Sequence, residues 1–350
     1  MKTSILALLA ALLAAPAPDG PAFAVEDGSV LRKRFVERTS WQLDEMSQTM
    51  GGFEITFDPP PTMEASIERV LVVVDEHGPT RDGRPAKLGR TVEKAGLTAD
   101  ASLDSEMGSA RYHVAMTSPL VDEELLFAWN AEKEAYDVKL ESEREVEGLD
   151  DVREDVDLRA LLPASAVEVG AQWKIEGKKV AALFAPGGQW PLRLDEISDG
   201  PYDQVGAEDV LVGCTTTLAS PWREADGEAI VTWSETREVD GRKIAVLALE
   251  IDLELASEAL AAQVLAWLEP TRHASERKEM SVDARWRLAG EGTLEWDLAA
   301  GRFSSLALEL EGRLAVEESW RQDFGGVESE TELIAGLDTR SVFEAKASTE

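Results

Sequence analysis

Residues 282–316 read VDARWRLAGEGTLEWDLAAGRFSSLALELEGRLAV, and this stretch decides the fold class. Up to residue 296 the large apolar side chains fall at even positions: Val282, Trp286, Leu288, Leu294 and Trp296. Charged side chains such as Arg285, Arg287 and Glu295 fall at odd positions between them. A period of two is typical of a β-strand with one buried and one solvated face.

A turn and a second strand follow. Residues 297–302 supply the turn and include Gly301. Apolar side chains then alternate with charged ones again, at Leu306, Leu308, Leu310, Leu314 and Val316. The stretch therefore predicts a long antiparallel hairpin with one apolar and one charged face. We expect Trp286 and Trp296 to point into the buried face, because they share the parity of Leu288 and Leu294.

A second hairpin is predicted over Leu125–Leu140. Trp129 precedes Tyr136 by seven residues, as Trp296 precedes Phe303, and both aromatic pairs flank a polar turn. This echo suggests two similar β halves, residues 25–160 and 206–340, joined by a connecting segment at 161–205. Chance is the alternative, because β-hairpins resemble one another.

The remaining pattern adds four expectations. Ile67–Val74 is rich in β-branched residues and predicts a strand, whereas residues 94–110 are small and polar and predict a loop. A short helix is predicted near 257–268, with Ser257 as its N-cap. Residues 341–350 read as a flexible tail. The predicted fold class is mainly β (α+β), with long antiparallel strands curved into sheets or half-barrels.

The first 24 residues, MKTSILALLAALLAAPAPDGPAFA, have the form of a secretory signal peptide. A lysine precedes an apolar run, and small residues end at Ala24, after which we expect cleavage. The alternative, a membrane anchor, is disfavoured because the run is short and ends in Pro and Gly. We therefore expect a periplasmic or secreted protein without stable membrane insertion after leader removal.

Charge and cysteine content narrow the function further. The chain of 350 residues has 35 Lys and Arg against 68 Asp and Glu, a formal charge of −33. Such a surface repels nucleic acid, so nucleic acid is excluded as a partner. Cys214 is the single cysteine, so no intramolecular disulfide is possible and stability must come from the core.

No recognisable catalytic motif occurs in the sequence. His77, His113 and His273 are isolated, and no zinc-binding, nucleophile-elbow or phosphate-loop spacing is present. We therefore predict no catalytic residues, no metal site and no cofactor, and expect each histidine to be a loop or core residue. An enzyme without a recognisable motif stays an alternative.

Tryptophan is abundant, with ten residues. Those that alternate with other apolar residues fit a β core. Trp41, Trp190, Trp222 and Trp320 neighbour turns or polar runs and are the better candidates for an exposed binding surface. A module that binds polysaccharide or protein through such tryptophans is the second functional hypothesis.

The segment LLPASAVEVGAQWKI resembles a motif of uncharacterised bacterial exported proteins: Leu-Pro, a Val, then Val-Gly-x-x-Trp. In those proteins a second pattern, G-x-G-x-x-x-W/F-D-x-x-x-G, follows later in the chain. Here its residues are Gly290, Gly292, Trp296, Asp297 and Gly301. A more distant resemblance is to half-barrel lipoprotein carriers of the LolA type, which bind acyl chains between a curved sheet and a helical lid. The first resemblance implies a structural rather than catalytic role for its motifs, and the second is a resemblance of fold alone.

That resemblance gives the predicted helix a function. Its apolar side chains Leu260, Val264, Trp267 and Leu268 would close over the concave face of the sheet and line an apolar ligand site of about 300–1,000 Å³. A fully packed core is the alternative. The first hypothesis is accordingly a non-enzymatic envelope protein that holds an apolar small molecule or contacts an envelope component.

Overall fold

The structure is a computed structural model, which describes residues 20–57, 60–105, 108–180, 183–198, 225–256, 277–324 and 327–349. Its strands are β1 Val30–Met50, β2 Phe53–Ile55, β3 Thr62–His77, β4 Thr80–Arg81, β5 Arg84–Pro85, β6 Lys87–Ser105, β7 Gly108–Thr117, β8 Glu124–Asn130, β9 Ala135–Leu140, β10 Gln172–Glu176, β11 Arg193–Ser198, β12 Asp226–Val239, β13 Arg242–Ala256, β14 Arg277–Asp297, β15 Arg302–Phe324 and β16 Val327–Thr349. Short helical turns lie at Leu149–Asp151, Arg159–Leu161 and Gly177–Val180.

Fourteen of the strands form one antiparallel sheet, which confirms the predicted mainly β fold class. The main path runs β10-β12-β13-β14-β15-β16-β1-β3-β6-β7-β11. The strands of the two chain ends, β1 and β16, are therefore neighbours in the middle of the sheet. Their pairing extends from Leu31 opposite Thr349 to Met50 opposite Thr331.

The predicted long hairpin is confirmed as β14 and β15. Trp286 and Trp296 both point to the inner face, where 7% and 0% of their surface is exposed. Trp296 lies directly opposite Phe303 across the two strands. Alternation of apolar and charged residues thus identified both the strands and the face that becomes the core.

The second predicted hairpin is confirmed as β8 and β9, with Trp129 opposite Tyr136 and their ring centroids 5.2 Å apart. This hairpin branches from one end of β6, whereas β14 and β15 lie within the main strand path. The two hairpins therefore do not take equivalent places in the sheet. The division of the chain at 161–205 stays a prediction.

Two predicted irregular regions are strands instead. Within 94–110, which was expected to be a loop, the described residues belong to β6 and β7, because Ala95 and Leu97 continue the inner-face alternation and β3 supplies the pairing. The predicted tail 341–350 forms the end of β16 as far as Thr349. Phe343 and Ala345 of that strand are buried on the inner face, which fixes it against β1.

The predicted helix near 257–268 lies outside the described residues. Among the residues that the structure does describe, no helix combines the length and apolar character needed to cross a membrane.

Three stretches of chain lie against the inner face of the sheet. Two are called the covering segments here: residues 149–162, with Val156 and Leu158 buried, and residues 183–192, with Phe184 buried. The third is residues 20–25, which will be called the N-terminal strip. These stretches and the inward side chains of the long strands form one continuous core.

Candidate functional site

Four polar side chains occupy inward positions where the alternation of the strands calls for apolar residues. They are Lys33 of β1, Asp75 and His77 of β3, and Arg90 of β6. Each is at most 1% exposed. Since burying a charge without a partner is costly, these groups must satisfy one another.

Asp75 is the centre of this buried cluster. Arg90 donates to both of its carboxylate oxygens, from Nε at 2.7 Å and from Nη2 at 2.9 Å. Lys33 Nζ donates to Asp75 Oδ2 at 2.8 Å. A two-pronged contact of this kind fixes the guanidinium plane as well as the charge.

The first covering segment completes the cluster from above. Asp157 Oδ1 lies 2.5 Å from Lys33 Nζ. Arg90 also donates to the main-chain oxygens of Arg153 at 3.0 Å and Glu154 at 2.7 Å. The cluster therefore fastens this segment to the sheet through charged groups that are shielded from water.

The cluster displaces the pKa values of its members. Burial alone would raise the pKa of Asp75, but the charges of Arg90 and Lys33, together with the hydrogen bond from Arg90, hold it well below its usual range. Burial lowers the pKa of His77 to about 4, and the nearby Lys33 charge acts in the same direction. His77 is therefore neutral and the carboxylate ionised at ordinary pH.

Three side chains of the cluster have atoms of the kind that bind a metal ion. Asp75, His77 and Asp157 each present a ligand atom, and these atoms lie within 4.8 Å of one another. However, Lys33 Nζ lies 2.8 Å from Asp75 Oδ2, 2.5 Å from Asp157 Oδ1 and 3.3 Å from His77 Nε2. The chain's own ammonium group already stands among the donors, so the arrangement fits a structural ion cluster better than a metal site.

Sequence reasoning placed His77 as an isolated loop or core residue and missed its companions. It is a core residue. The available signal was parity: Asp75 and His77 share the phase of Val73, and Lys33 shares the phase of Leu31 and Phe35. What the sequence did not show was which strands would bring these positions together.

A small apolar cavity lies between the sheet and the second covering segment. Its volume is about 100 Å³. Most of its lining side chains are apolar or aromatic: Phe35, Leu71, Ala95, Leu97, Leu158, Leu183, Phe184, Trp190, Leu192, Leu306 and Phe343. Phe184 packs edge-on against Phe343 with ring centroids 4.8 Å apart, and this pair forms part of the roof.

One ion pair interrupts the apolar wall of this cavity. Arg69 Nη1 donates to Glu37 Oε2 at 2.8 Å and to the main-chain oxygen of Phe184 at 3.3 Å. Burial raises the pKa of Glu37, although the adjacent Arg69 charge opposes the shift. The pair ties the roof of the cavity to β1 and β3.

The opposite, charged face of the sheet carries an open trough of about 1150 Å³. A row of directly opposed residues crosses six strands there: Glu311, Arg340, Ser40, Ser66, Asp100 and His113. His113 Nδ1 lies 2.8 Å from Asp100 Oδ1. Hydroxyl, carboxylate and cationic groups of this kind suit a polar partner rather than an apolar one.

The predicted ligand-binding residues Leu260, Val264, Trp267 and Leu268 lie outside the described residues, as does Trp222. Of the other tryptophans proposed for a binding surface, Trp41 and Trp320 are buried and Trp190 is half-buried. The prediction of exposure is wrong for Trp41 and Trp320, because both continue the inward phase of their long strands. No tryptophan of the described residues is exposed.

Comparisons with known proteins add no family. No family model and no curated protein matches the chain. Solved structures with some likeness include the outer membrane protein OprG from Pseudomonas aeruginosa, 8% identical with a TM-score of 0.25 over 95% of this chain and 100% of that one. Another is the translocator domain of the autotransporter NalP from Neisseria meningitidis, 9% identical with a TM-score of 0.19 over 92% of this chain and 89% of that one.

A FadL homologue from Pseudomonas aeruginosa is 9% identical, with a TM-score of 0.13 over 94% of this chain and 96% of that one. At these TM-scores and identities the three likenesses carry no argument about function. None of the three is a LolA-type carrier, and the predicted resemblance to those carriers stays a prediction.

Proposed function

We propose that this chain is an exported, non-enzymatic protein of the cell envelope that holds an apolar ligand against the inner face of its sheet. The observation that carries the proposal is the apolar cavity of about 100 Å³ beneath residues 183–192. The sequence of the first 24 residues supports export and a periplasmic or secreted location.

The lining of the cavity suits an apolar guest. Phe35, Leu71 and Leu97 project from three adjacent strands, and each is at most 7% exposed. The roof comes from Leu183 and Phe184, which are also buried. A cavity bounded mainly by aliphatic and aromatic side chains suits apolar compounds, because binding removes apolar surface from water.

The size of the cavity defines the class of ligand. Apolar cavities of about 150 Å³ accept benzene, and those of drug-sized ligands span about 300–1,000 Å³. A volume of about 100 Å³ therefore fits a small ring or the terminal carbons of a chain. We infer that the described cavity holds one end of a ligand whose remainder extends beyond it.

The roof is preformed, which lowers the entropic cost of binding. Gly187 donates to the main-chain oxygen of Asp155, and Gln189 donates to that of Asp151, both at 3.1 Å. Two consecutive glycines at 187 and 188 adopt positive φ angles and allow this tight approach to the first covering segment. Ligand binding would need little rearrangement of the main chain.

The charged groups of the core support the non-enzymatic part of the proposal. Lys33, Asp75 and Arg90 are fully buried and engaged with one another. Groups so paired and shielded from solvent have no free position for a substrate. Their arrangement is suited to holding the covering segment over the sheet.

The proposal is tested by filling the cavity. Ala95→Leu adds three carbons at a position that lines the cavity. Ala99→Leu adds the same three carbons on the same face of the same strand, at a position outside the cavity lining. Binding of benzene and of a series of linear alcohols would be followed by NMR chemical shifts and calorimetry. We expect wild type and Ala99→Leu to bind and Ala95→Leu to lose affinity at least tenfold.

Mass spectrometry of an organic extract from protein purified from its native host would identify the natural ligand. Equal affinity in Ala95→Leu and wild type, or no binding by any of the three proteins, would overturn the proposal. Polysaccharide binding that Ala95→Leu leaves unchanged would instead point to a site outside the cavity, such as the polar trough.

A further inference from the structure

The N-terminal strip, residues 20–25, lies inside the fold although its first five residues belong to the predicted leader. Phe23 is 6% exposed and Val25 is 3% exposed. Cleavage after Ala24 would remove Phe23 from this position and leave Val25 as the first residue. The strip therefore marks a slot that the predicted processing would open.

The slot has a defined shape around the aromatic ring of Phe23. The ring centroid lies 6.0 Å from that of His77. The guanidinium carbon of Arg159 lies over the same ring at 5.1 Å from its centroid. An aromatic side chain is suited to this position, because a cation above its face adds to the gain from burial.

Main-chain hydrogen bonds fix the direction of the strip. Trp296 Nε1 donates to the oxygen of Ala22 at 3.2 Å, and the nitrogen of Ala24 donates to the oxygen of Gly301 at 3.0 Å. Trp296 is 0% exposed, so loss of the strip removes the acceptor of a buried donor. Buried hydrogen-bond donors nearly always have an acceptor. A donor that has lost its acceptor therefore favours binding of a group that supplies a new one.

The turn at Gly301 is shaped around the strip. A Cβ atom at this position would lie 2.5 Å from the nitrogen of Ala24, and Gly301 has a φ of +62°. The side chain of Ala24 itself is exposed. The slot thus requires a close main-chain approach and one aromatic side chain, while the flanking side chains have to be small or face outward.

We propose that the mature protein binds an extended peptide segment with an aromatic residue in this slot, and that residues 20–24 occupy the position of that partner. The peptide would accept a hydrogen bond from Trp296 Nε1 before its aromatic residue and donate one to Gly301 after it. This site is separate from the cavity beneath residues 183–192.

The test uses the exported mature protein, whose N-terminus is first established by intact mass. The probe is the acetylated and amidated peptide Gly-Pro-Ala-Phe-Ala, and the control replaces its Phe by Ala. We expect calorimetry to show binding that weakens about 10- to 100-fold with the control peptide, because a buried Phe contributes about 1.5–3 kcal/mol.

A protein variant separates the hydrogen bond from general packing. Trp296→Phe removes the indole donor, whereas Trp286→Phe makes the same change at a core tryptophan away from the strip. We expect the first variant to bind the Phe peptide several-fold more weakly and the second to bind it as wild type does. Thermal unfolding of both variants checks that they are folded.

Three results would overturn the proposal. One is a mature chain that begins before Gly20, since the strip would then be a permanent part of the core. Another is a mature chain from Val25 that does not fold. The third is a folded mature chain that binds the Phe and Ala peptides equally or not at all.

Discussion

At the scale of single residues, His77 makes stability depend on pH. Its pKa is lowered from 6.5 in the unfolded chain to about 4 in the fold, because it is buried beside Lys33. Between these pH values the unfolded state binds the extra proton, so stability falls as pH falls from 6.5 to 4. The full difference amounts to about 3 kcal/mol.

The variant His77→Gln should remove that dependence. We expect the difference in unfolding free energy between wild type and variant to change by up to about 3 kcal/mol across this range, measured by denaturant titration at several pH values. His113→Gln is the matched control. A hydrogen bond that His113 Nδ1 donates to the Asp100 carboxylate raises the pKa of His113, so removal of the His113 imidazole changes the pH dependence in the opposite direction. A parallel pH profile for His77→Gln and wild type would contradict the assignment.

The residue scale also explains why the buried cluster was not predicted. Lys33 and Arg90 occupy core positions of strands whose other inward residues are apolar, and each reads in isolation as a surface charge. Their common partner Asp75 is 42 residues from Lys33. The ion pairs among these side chains form only after β1, β3 and β6 have paired, so no local sequence pattern could show them.

At the scale of elements, the pairing of β14 with β15 depends on two positions of β14 that carry no side chain. Gly290 and Gly292 lie opposite Leu310 and Leu308, which fill the space that side chains on β14 would take. A Cβ atom at Gly290 would lie 2.1 Å from the main-chain oxygen of Glu309. The two strands therefore approach so closely here that only glycine fits.

Gly290→Ala should accordingly destabilise the sheet by about 2 kcal/mol, since overpacking a core costs about 1–3 kcal/mol. Gly89→Ala is the control: its new Cβ atom would meet nothing nearer than a Glu124 side-chain oxygen at 3.4 Å. We expect the control to lie within about 0.5 kcal/mol of wild type in chemical denaturation. Equal effects at both positions would show that close approach is not the cause.

The same elements show what periodicity can predict. It identified β14 and β15 with the correct inward face, because Trp286, Leu288, Leu294 and Trp296 keep one phase. It failed for residues 94–110, where small side chains read as a loop. Their strand character comes from β3, which pairs with β6 along residues 62–77 and supplies the large side chains. Pairing of this kind is a tertiary effect that overrides local propensity.

At the scale of the whole molecule, the C-terminal residues are part of the central sheet. Residues 341–349 of β16 pair with β1 between Leu31 and Thr39. Phe343 is 4% exposed and packs against Phe184 of the cavity roof. Removal of this segment would uncover β1 and open the apolar cavity at once.

Truncation after Arg340 should therefore lower stability by more than about 3 kcal/mol, the scale of losing a single buried Phe side chain. Truncation after Ser348 keeps the buried side chains of Phe343, Ala345 and Ala347 and should leave the midpoint of thermal unfolding nearly unchanged. Far-UV circular dichroism and thermal melts of both proteins would check this. A stable, cooperative fold after the longer truncation would show that residues 341–349 are not needed for the stability of the sheet.

The pairing of β1 with β16 has a consequence for how the molecule is made. Thr39 and Ser341 exchange a hydrogen bond across a sequence separation of 302 residues. One edge of β1 therefore has no native partner until β16 has been synthesised. Contacts of such high sequence separation slow folding and prolong the exposure of unpaired strand edges. During synthesis the free edge of β1 should therefore need protection from wrong pairing until β16 has emerged. This requirement concerns the biogenesis of the protein rather than its folded structure.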